Sequence, residues 1–139
     1  MSAGFVLDAS VAMSWCFEDE TSRISEHALD LLAADVALVP SVWPLEVANV
    51  LLVAERRKRL RPADSERFLD LLQTLPIRVQ AESAGEVFGE IAALARSTGL
   101  SSYDASYLRL AMTSGLPLAT LDKGVRRVAR KLGAQLLAT

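Results

Sequence analysis

An apolar run that stops at a carboxylate most limits how this chain can fold. Phe5, Val6 and Leu7 favour a β-strand, and their lack of polar alternation is typical of a strand covered on both faces. Asp8 follows at once, and residues 11–17 have a helical pattern. A strand that leads directly into a helix places Asp8 at the carboxyl edge of a sheet, where open α/β sheets hold their ligands.

The rest of the chain alternates short apolar segments with amphipathic ones. Further strands are predicted at 36–39, 77–79 and 116–121, with a last one at 134–137. Helices are predicted after a cap at Thr21, at 41–54 with Ser41 as the cap, at 63–75, at 82–97, from Ser101 to a stop at Gly115, and at 123–132. This order predicts one α/β domain over 1–139, with a central, mainly parallel sheet of four to five strands and helices on both faces.

Length and cysteine content exclude several classes of protein. With 139 residues the chain is long enough for one domain with a hydrophobic core and too short for two ordinary ones. A lone Cys16 cannot form an internal disulfide, and no apolar run approaches the ~18 residues that a membrane span requires. No basic leader precedes the first apolar stretch, which Asp8 interrupts. We therefore expect a cytoplasmic protein without a membrane anchor.

Four acids stand out because apolar sequence flanks each of them: Asp8, Glu46, Asp104 and Asp122. Glu46 and Asn49 are the only polar side chains between Pro44 and Glu55, and their spacing puts them on one face of a helix, so Asn49 is a candidate supporting residue beside Glu46.

Each acid also has an ordinary structural explanation. Glu46 could simply reach solvent. Asp104 and Ser101 have the spacing of a capping box, and Asp122 could be only the cap of the following helix.

If the four acids converge, their repulsion raises their pKa values unless a cation holds them together. Oxygen ligands without His or Cys suit Mg²⁺ or Mn²⁺ better than zinc. Such a cation lowers the pKa of a bound water and neutralises charge on a phosphoryl group under attack, which is the chemistry of phosphodiester hydrolysis. Periodicity alone leaves the convergence open.

Four segments of the chain resemble, in order and spacing, the four acidic motifs of PIN-domain proteins. They are Val-Leu-Asp-Ala-Ser-Val at 6–11, Pro-Leu-Glu-Val-Ala-Asn-Val-Leu at 44–51, Tyr-Asp-Ala-Ser-Tyr-Leu at 103–108 and Ala-Thr-Leu-Asp-Lys at 119–123. The resemblance covers nearly the whole chain, and the size is similar to that of VapC-type toxins of bacterial toxin–antitoxin pairs.

The resemblance implies a metal-dependent endoribonuclease that forms a homodimer and is inhibited by a cognate antitoxin. It assigns catalysis and metal binding to Asp8, Glu46, Asp104 and Asp122, and supporting hydroxyls to Ser10 and Thr120. Where many members have Thr before the third acid, this chain has two serines, at 101 and 102.

RNA binding must come from local charge, since the formal net charge is -2. Basic side chains cluster at 56–61 and at 123–131, where they either complement helix C-termini or hold RNA phosphates near a pocket that itself repels RNA. Arg126 and Arg130 are our candidates for such contacts.

Partner surfaces are expected from apolar side chains beyond what a small sheet needs to cover itself. Trp15, Phe17, Trp43 and the apolar helix around them predict a homodimer and a groove for an antitoxin segment, although the same rings could be plain core.

Two other classes of small α/β protein are disfavoured by the residues that they would need. A receiver domain would need an acidic pair after the first strand and a phosphate-accepting Asp after a middle strand, and an Asp-x-Asp phosphatase would need an acid in place of Ser10. A PIN-like scaffold that binds RNA or protein without cutting remains the alternative to an enzyme.

Overall fold

A four-stranded parallel sheet organises the computed structural model, which describes residues 3–138. The strands are β1 (Ala3–Leu7), β2 (Val36–Pro40), β3 (Ile77–Gln80) and β4 (Leu118–Ala119), in the order β3-β2-β1-β4. Every neighbouring pair is parallel. The predicted α/β class with a mainly parallel sheet is therefore confirmed. The expectation about a leader concerns the first residues, of which 1 and 2 lie outside the described part.

Helical segments connect the strands. They are α1 (Ala9–Ser14), α2 (Arg23–Leu31), α3 (Trp43–Arg56), α4 (Pro62–Thr74), α5 (Ala84–Glu86), α6 (Ala92–Thr98), α7 (Ser102–Ser114) and α8 (Lys123–Leu132). A 3₁₀ turn covers Glu18–Glu20, and a π-helical turn at Val87–Ile91 joins α5 to α6. Over the described residues, none of these helices combines the length and the apolar character needed to cross a membrane.

Strand β1 lies at the centre of the core. Phe5, Val6 and Leu7 are all fully buried, as expected for a strand covered on both faces. Helix α7 packs against β1, and its Tyr107 side chain is 1% exposed. The sheet order places β4 directly beside β1, so the chain that leaves β4 emerges next to Asp8.

Several helix ends lie where the sequence predicted them. Gly99 and Gly115 end α6 and α7 in the left-handed conformation that glycine adopts without strain, with φ of 79° and 70°. Pro44 lies in the first turn of α3, and the Asp122 side chain caps α8.

Three predicted helix starts are wrong. The cap of α2 is Ser22 and not Thr21, because Ser22 exchanges hydrogen bonds with Ser25 in a capping box. Ser41 does not cap α3, because its hydroxyl donates to Glu82 Oε2 at 2.5 Å. The helix predicted at 11–17 begins two residues earlier, directly after Asp8, and ends at Ser14.

The strands at the C-terminal end are shorter than predicted. In place of a strand at 116–121 there are only two residues, because the N–H of Leu121 donates to the Ser10 hydroxyl instead of a neighbouring strand. The strand predicted at 134–137 is wrong as well, since Leu136 makes a single bridge to Leu118. Two backbone hydrogen bonds hold this segment beside β4, from the Leu118 N–H to the Gln135 carbonyl and from the Leu137 N–H to the Leu118 carbonyl, each at 2.9 Å.

The aromatic side chains expected at a partner surface belong to the core. Phe17 is 6% exposed and Trp43 is 8% exposed, and Trp15 packs on the core while its Nε1 donates to the Ser25 carbonyl at 2.8 Å. The prediction that these rings are surplus surface is therefore wrong. Helix α3 nevertheless keeps an uncovered apolar face, on which Leu45 is 72% exposed.

Candidate active site

Five carboxylates line one open cavity of about 400 Å³ at the carboxyl edge of the sheet: the four predicted acids and Glu20, which the sequence analysis did not single out. Asp8 follows β1, Glu46 lies in the first turn of α3, Asp104 lies in the first turn of α7, and Asp122 precedes α8. Ser10 and Leu121 also line this cavity. The fold thus brings together four acids that are far apart in the sequence, and below we call the space between them the acid cavity.

Asp8 is the most buried of the four acids, with 6% exposure. Two hydroxyls donate to the same oxygen, Oδ2: Thr120 Oγ1 at 2.5 Å and Ser10 Oγ at 2.9 Å. Burial raises the pKa of Asp8, whereas the hydrogen bonds from Thr120 and Ser10 oppose this rise. Asp8 is therefore an anchored carboxylate in a poorly solvated position.

Glu46 is oriented by Tyr107, whose hydroxyl donates to Oε1 at 2.5 Å. Burial is the main reason why the pKa of Glu46 is raised. The Tyr107 hydrogen bond lowers this pKa, and the charges of Asp8 and Asp104 raise it. Because Tyr107 itself is buried and donates to a carboxylate, the pKa of its hydroxyl lies well above the usual range.

Asp104 and Asp122 both occupy helix starts, but only Asp122 is used as a cap. The Asp122 Oδ1 atom accepts from the Val125 N–H at 2.9 Å. At α7 the Ser101 hydroxyl caps the Asp104 N–H at 3.1 Å, so the cap is the serine. Burial first, and then the charges of Asp122 and Asp8, raise the pKa of Asp104.

In three of the acids the bonds to side-chain hydroxyls and the helix cap converge on one carboxylate oxygen. They use Oδ2 of Asp8, Oε1 of Glu46 and Oδ1 of Asp122, and none of them uses the second oxygen. In each of these three acids, one carboxylate oxygen therefore fixes the orientation of the side chain at the acid cavity.

The loop after β4 is tied to Asp8 through hydroxyl groups. Thr120 Oγ1 donates to Asp8 and accepts from the Asp122 N–H at 3.1 Å, while Ser10 Oγ accepts from the Leu121 N–H at 3.0 Å. The Arg126 guanidinium donates to the Thr120 carbonyl at 2.9 Å. The two supporting hydroxyls thus join the segments that carry Asp8 and Asp122.

Not every candidate lies in the acid cavity. Asn49 lines a neighbouring cavity, and Arg130 is an exposed residue of α8 outside the acid cavity. Arg126 contacts the loop that carries Asp122 rather than extending freely into solvent. Sequence reasoning missed Tyr107, because a tyrosine in an apolar helix gives no sign that its hydroxyl meets a carboxylate.

The donor set fits a hard divalent cation. All the donors are oxygen atoms, and three of the carboxyl groups have raised pKa values that a cation would offset. Within residues 3–138, however, no three His, Cys, Asp or Glu side chains are arranged to hold a metal ion as they stand. The support for a hard cation such as Mg²⁺ is thus the all-oxygen donor set and the raised pKa values of three carboxyl groups.

Comparisons with known proteins agree with this architecture. The family model described as PIN domain matches residues 5–131 of the chain. The chain is similar to Ribonuclease VapC3 of Pyrobaculum aerophilum, with 33% identity over 133 residues that cover 93% of this chain and 95% of that protein.

Two solved structures share the fold. The crystal structure of PAE2754 from Pyrobaculum aerophilum superposes with a TM-score of 0.70 at 22% identity, covering 97% of this chain and 98% of that one. VapBC2 from Rickettsia felis, solved bound to a DNA fragment from its promoter, gives a TM-score of 0.65 at 14% identity and covers 96% of each chain. Since the family model spans most of the sequence and a VapC protein is 33% identical over nearly its full length, the chain belongs to the PIN-domain family and, within it, to the VapC proteins.

Proposed function

We propose that this protein is a Mg²⁺- or Mn²⁺-dependent endoribonuclease that hydrolyses RNA phosphodiester bonds, and that it is the toxin of a toxin–antitoxin pair. The observation that carries the proposal is the acid cavity, in which Asp8, Glu46, Asp104 and Asp122 meet from four different segments. The relative VapC3 bears the name ribonuclease, which supports RNA as the substrate.

The side chains of the chain divide the work of the reaction. We assign metal binding to the four acids, and when bound the cation supplies an activated water and neutralises charge on the phosphoryl group. Hydrogen bonds from Thr120 and Ser10 hold the Asp8 carboxylate, and one from Tyr107 holds the Glu46 carboxylate. Both side chains are therefore already oriented before a ligand binds.

The test is a cleavage assay with purified protein and RNA, with added Mg²⁺ or Mn²⁺ and with excess chelator. Cleavage should require the divalent ion, and Asp8→Asn should abolish it while the fold stays intact by circular dichroism. Asp70→Asn makes the same change at an exposed position of α4 and should leave cleavage unaltered. Cleavage that persists in chelator would refute the metal dependence.

A non-catalytic RNA- or protein-binding module is the alternative function. The same assay separates the two, since such a module would bind RNA with no cleavage in any metal. The set of four acids within one cavity favours the enzyme, because a binding surface for RNA gains nothing from concentrated negative charge.

We also propose a cytoplasmic homodimer that binds an antitoxin. The neighbour of the same fold from Rickettsia felis is a VapBC complex, which supports an antitoxin partner. In the single chain Leu45 and Leu52 are 72% and 45% exposed, and an apolar groove of about 450 Å³ lies between α3, α4 and β3. Sedimentation at tens of micromolar should give a dimer; a monomer would contradict this part of the proposal.

A further inference from the structure

A second cavity, of about 230 Å³, adjoins the acid cavity along α3. Glu20 and Val50 line both cavities, so the two are neighbours. The second cavity is also lined by Asn49, Arg57 and Arg59. It therefore lies beside the place where an RNA strand would meet the four acids.

The two arginines of the second cavity differ in their partners. Arg59 is already paired within the protein. Its guanidinium nitrogens lie 3.2 Å from a carboxylate oxygen of Asp19 and 3.5 Å from one of Glu20, and the guanidinium carbon lies 4.3 Å from the centre of the Phe17 ring. In the part of the chain that the structure describes, Arg57 has no acidic partner within 4.0 Å. Arg57 is thus the available cation, and the pairing with Arg59 offsets the negative charge of Glu20.

Asn49 adds a neutral polar group beside this cation. It is exposed, and its amide makes no hydrogen bond to any residue between 3 and 138. A carboxamide offers both donors and an acceptor, which is what the edge of a nucleobase requires.

We propose that the second cavity is a nucleotide subsite, in which Arg57 binds an RNA phosphate and Asn49 binds the edge of the base adjacent to the bond that is cut. The subsite rests on the proposed function, because its ligand is the flank of the same RNA strand. A cation is needed at this place, since the acid cavity repels a phosphate chain and the strand must be held from outside it.

An acidic peptide would also meet Arg57, but the observations favour RNA. The subsite adjoins the proposed site of phosphodiester cleavage, with which it shares Glu20 and Val50, and single-stranded RNA is recognised by hydrogen bonds to the edges of unstacked bases. A peptide carboxylate would need no carboxamide beside the cation.

The first experiment measures binding in chelator, so that no cleavage takes place. A fluorescent single-stranded RNA oligonucleotide is titrated with the wild type, Arg57→Gln and the matched control Arg96→Gln, which removes the same charge from an exposed position of α6 outside both cavities. Arg57→Gln should weaken binding and reduce the slope of log affinity against log salt by about 1. Arg96→Gln should leave both unchanged.

The second experiment maps where the RNA is cut in the presence of Mg²⁺. Asn49→Ala should still cut, at positions with a different base next to the cleaved bond, whereas Gln73→Ala on α4 should keep the wild-type positions. The subsite is overturned if Arg57→Gln and Arg96→Gln bind alike, if Asn49→Ala keeps the wild-type positions, or if an acidic peptide binds through Arg57 more tightly than RNA does. A wild type that binds RNA through Arg57 but cuts none in any metal would instead refute the proposed function.

Discussion

Removing the Tyr107 hydroxyl tests how the fold orients the carboxylate of Glu46. Tyr107→Phe keeps a ring that is 1% exposed and deletes only the donor that lies 2.5 Å from Glu46 Oε1. A hydrogen bond to a charged group contributes about 1.5–3 kcal/mol, and because Glu46 is only half-buried the lower end applies. We expect the free energy of unfolding to fall by about 1.5–2 kcal/mol at neutral pH.

The loss should depend on pH in a defined direction. The hydrogen bond favours the ionised form, so the pKa of Glu46 is higher in Tyr107→Phe than in the wild type. Above the pKa of Glu46, the wild type is more stable than Tyr107→Phe by the full amount. As the pH falls and Glu46 becomes protonated, this difference shrinks to about 0.5–1 kcal/mol, the value expected of a hydrogen bond between two neutral groups. Because burial raises the pKa of Glu46, the loss begins at a higher pH than for an ordinary glutamate.

Urea unfolding in chelator measures both effects, at one pH above and one below the titration of Glu46. Tyr103→Phe is the matched control on the same helix, because Tyr103 is 60% exposed and within residues 3–138 its hydroxyl makes no hydrogen bond. It should change stability by less than about 0.5 kcal/mol. A Tyr107→Phe effect that is equal at both pH values, or equal to that of the control, would refute the reasoning.

Three further outcomes are expected. Asp8→Asn should melt at or above the wild type in chelator, because a buried ionised carboxylate with a raised pKa destabilises the fold above that pKa. Mg²⁺ well above its Kd should stabilise the wild type by about 1–3 kcal/mol and the variant far less. Equal shifts of the two proteins in thermal melts would count against a shared metal site. Thr120→Val should lower the free energy of unfolding in urea by about 1–3 kcal/mol, because it removes a donor to Asp8 and leaves a backbone N–H without its acceptor. The Ser83 N–H and Arg109 lower the pKa of Glu86 to about 2, so Glu86→Gln should cost stability above the ordinary glutamate pKa, and an acid titration should show this cost vanish as the pH falls towards 2.

The local sequence pattern was enough to predict the strand, the sheet edge and the parallel sheet that position the site. The uniform apolar run before Asp8 showed a buried strand, and the short turn after it determined which edge of the sheet the carboxylate would occupy. The alternation of strands and helices predicted a parallel sheet in the same way. These features depend on neighbours in the sequence, so they can be read from it.

Contacts between distant side chains could not be predicted. The Tyr107 hydroxyl meets Glu46 across 61 positions, and Ser41 is bound by Glu82 across 41, so neither partner is visible from its own segment. The length of β4 was misjudged for the same reason, because the Ser10 hydroxyl takes the N–H of Leu121. Hydrogen bonds between residues far apart in the sequence thus determined the helix cap, the strand length and the carboxylate orientation, which sequence periodicity does not encode.

The bond from Thr120 to Asp8 also bears on when the protein becomes active during its own synthesis. It joins residues 112 positions apart, and Asp122 follows two residues later in the same loop. A chain folds from its N-terminus as it leaves the ribosome, so Asp8, Glu46 and Asp104 are present before the last acid has been made. A nascent chain has an unfinished acid cavity until β4 pairs with β1, and the proposed cleavage of RNA can begin only after the segment that carries Thr120 and Asp122 has been made.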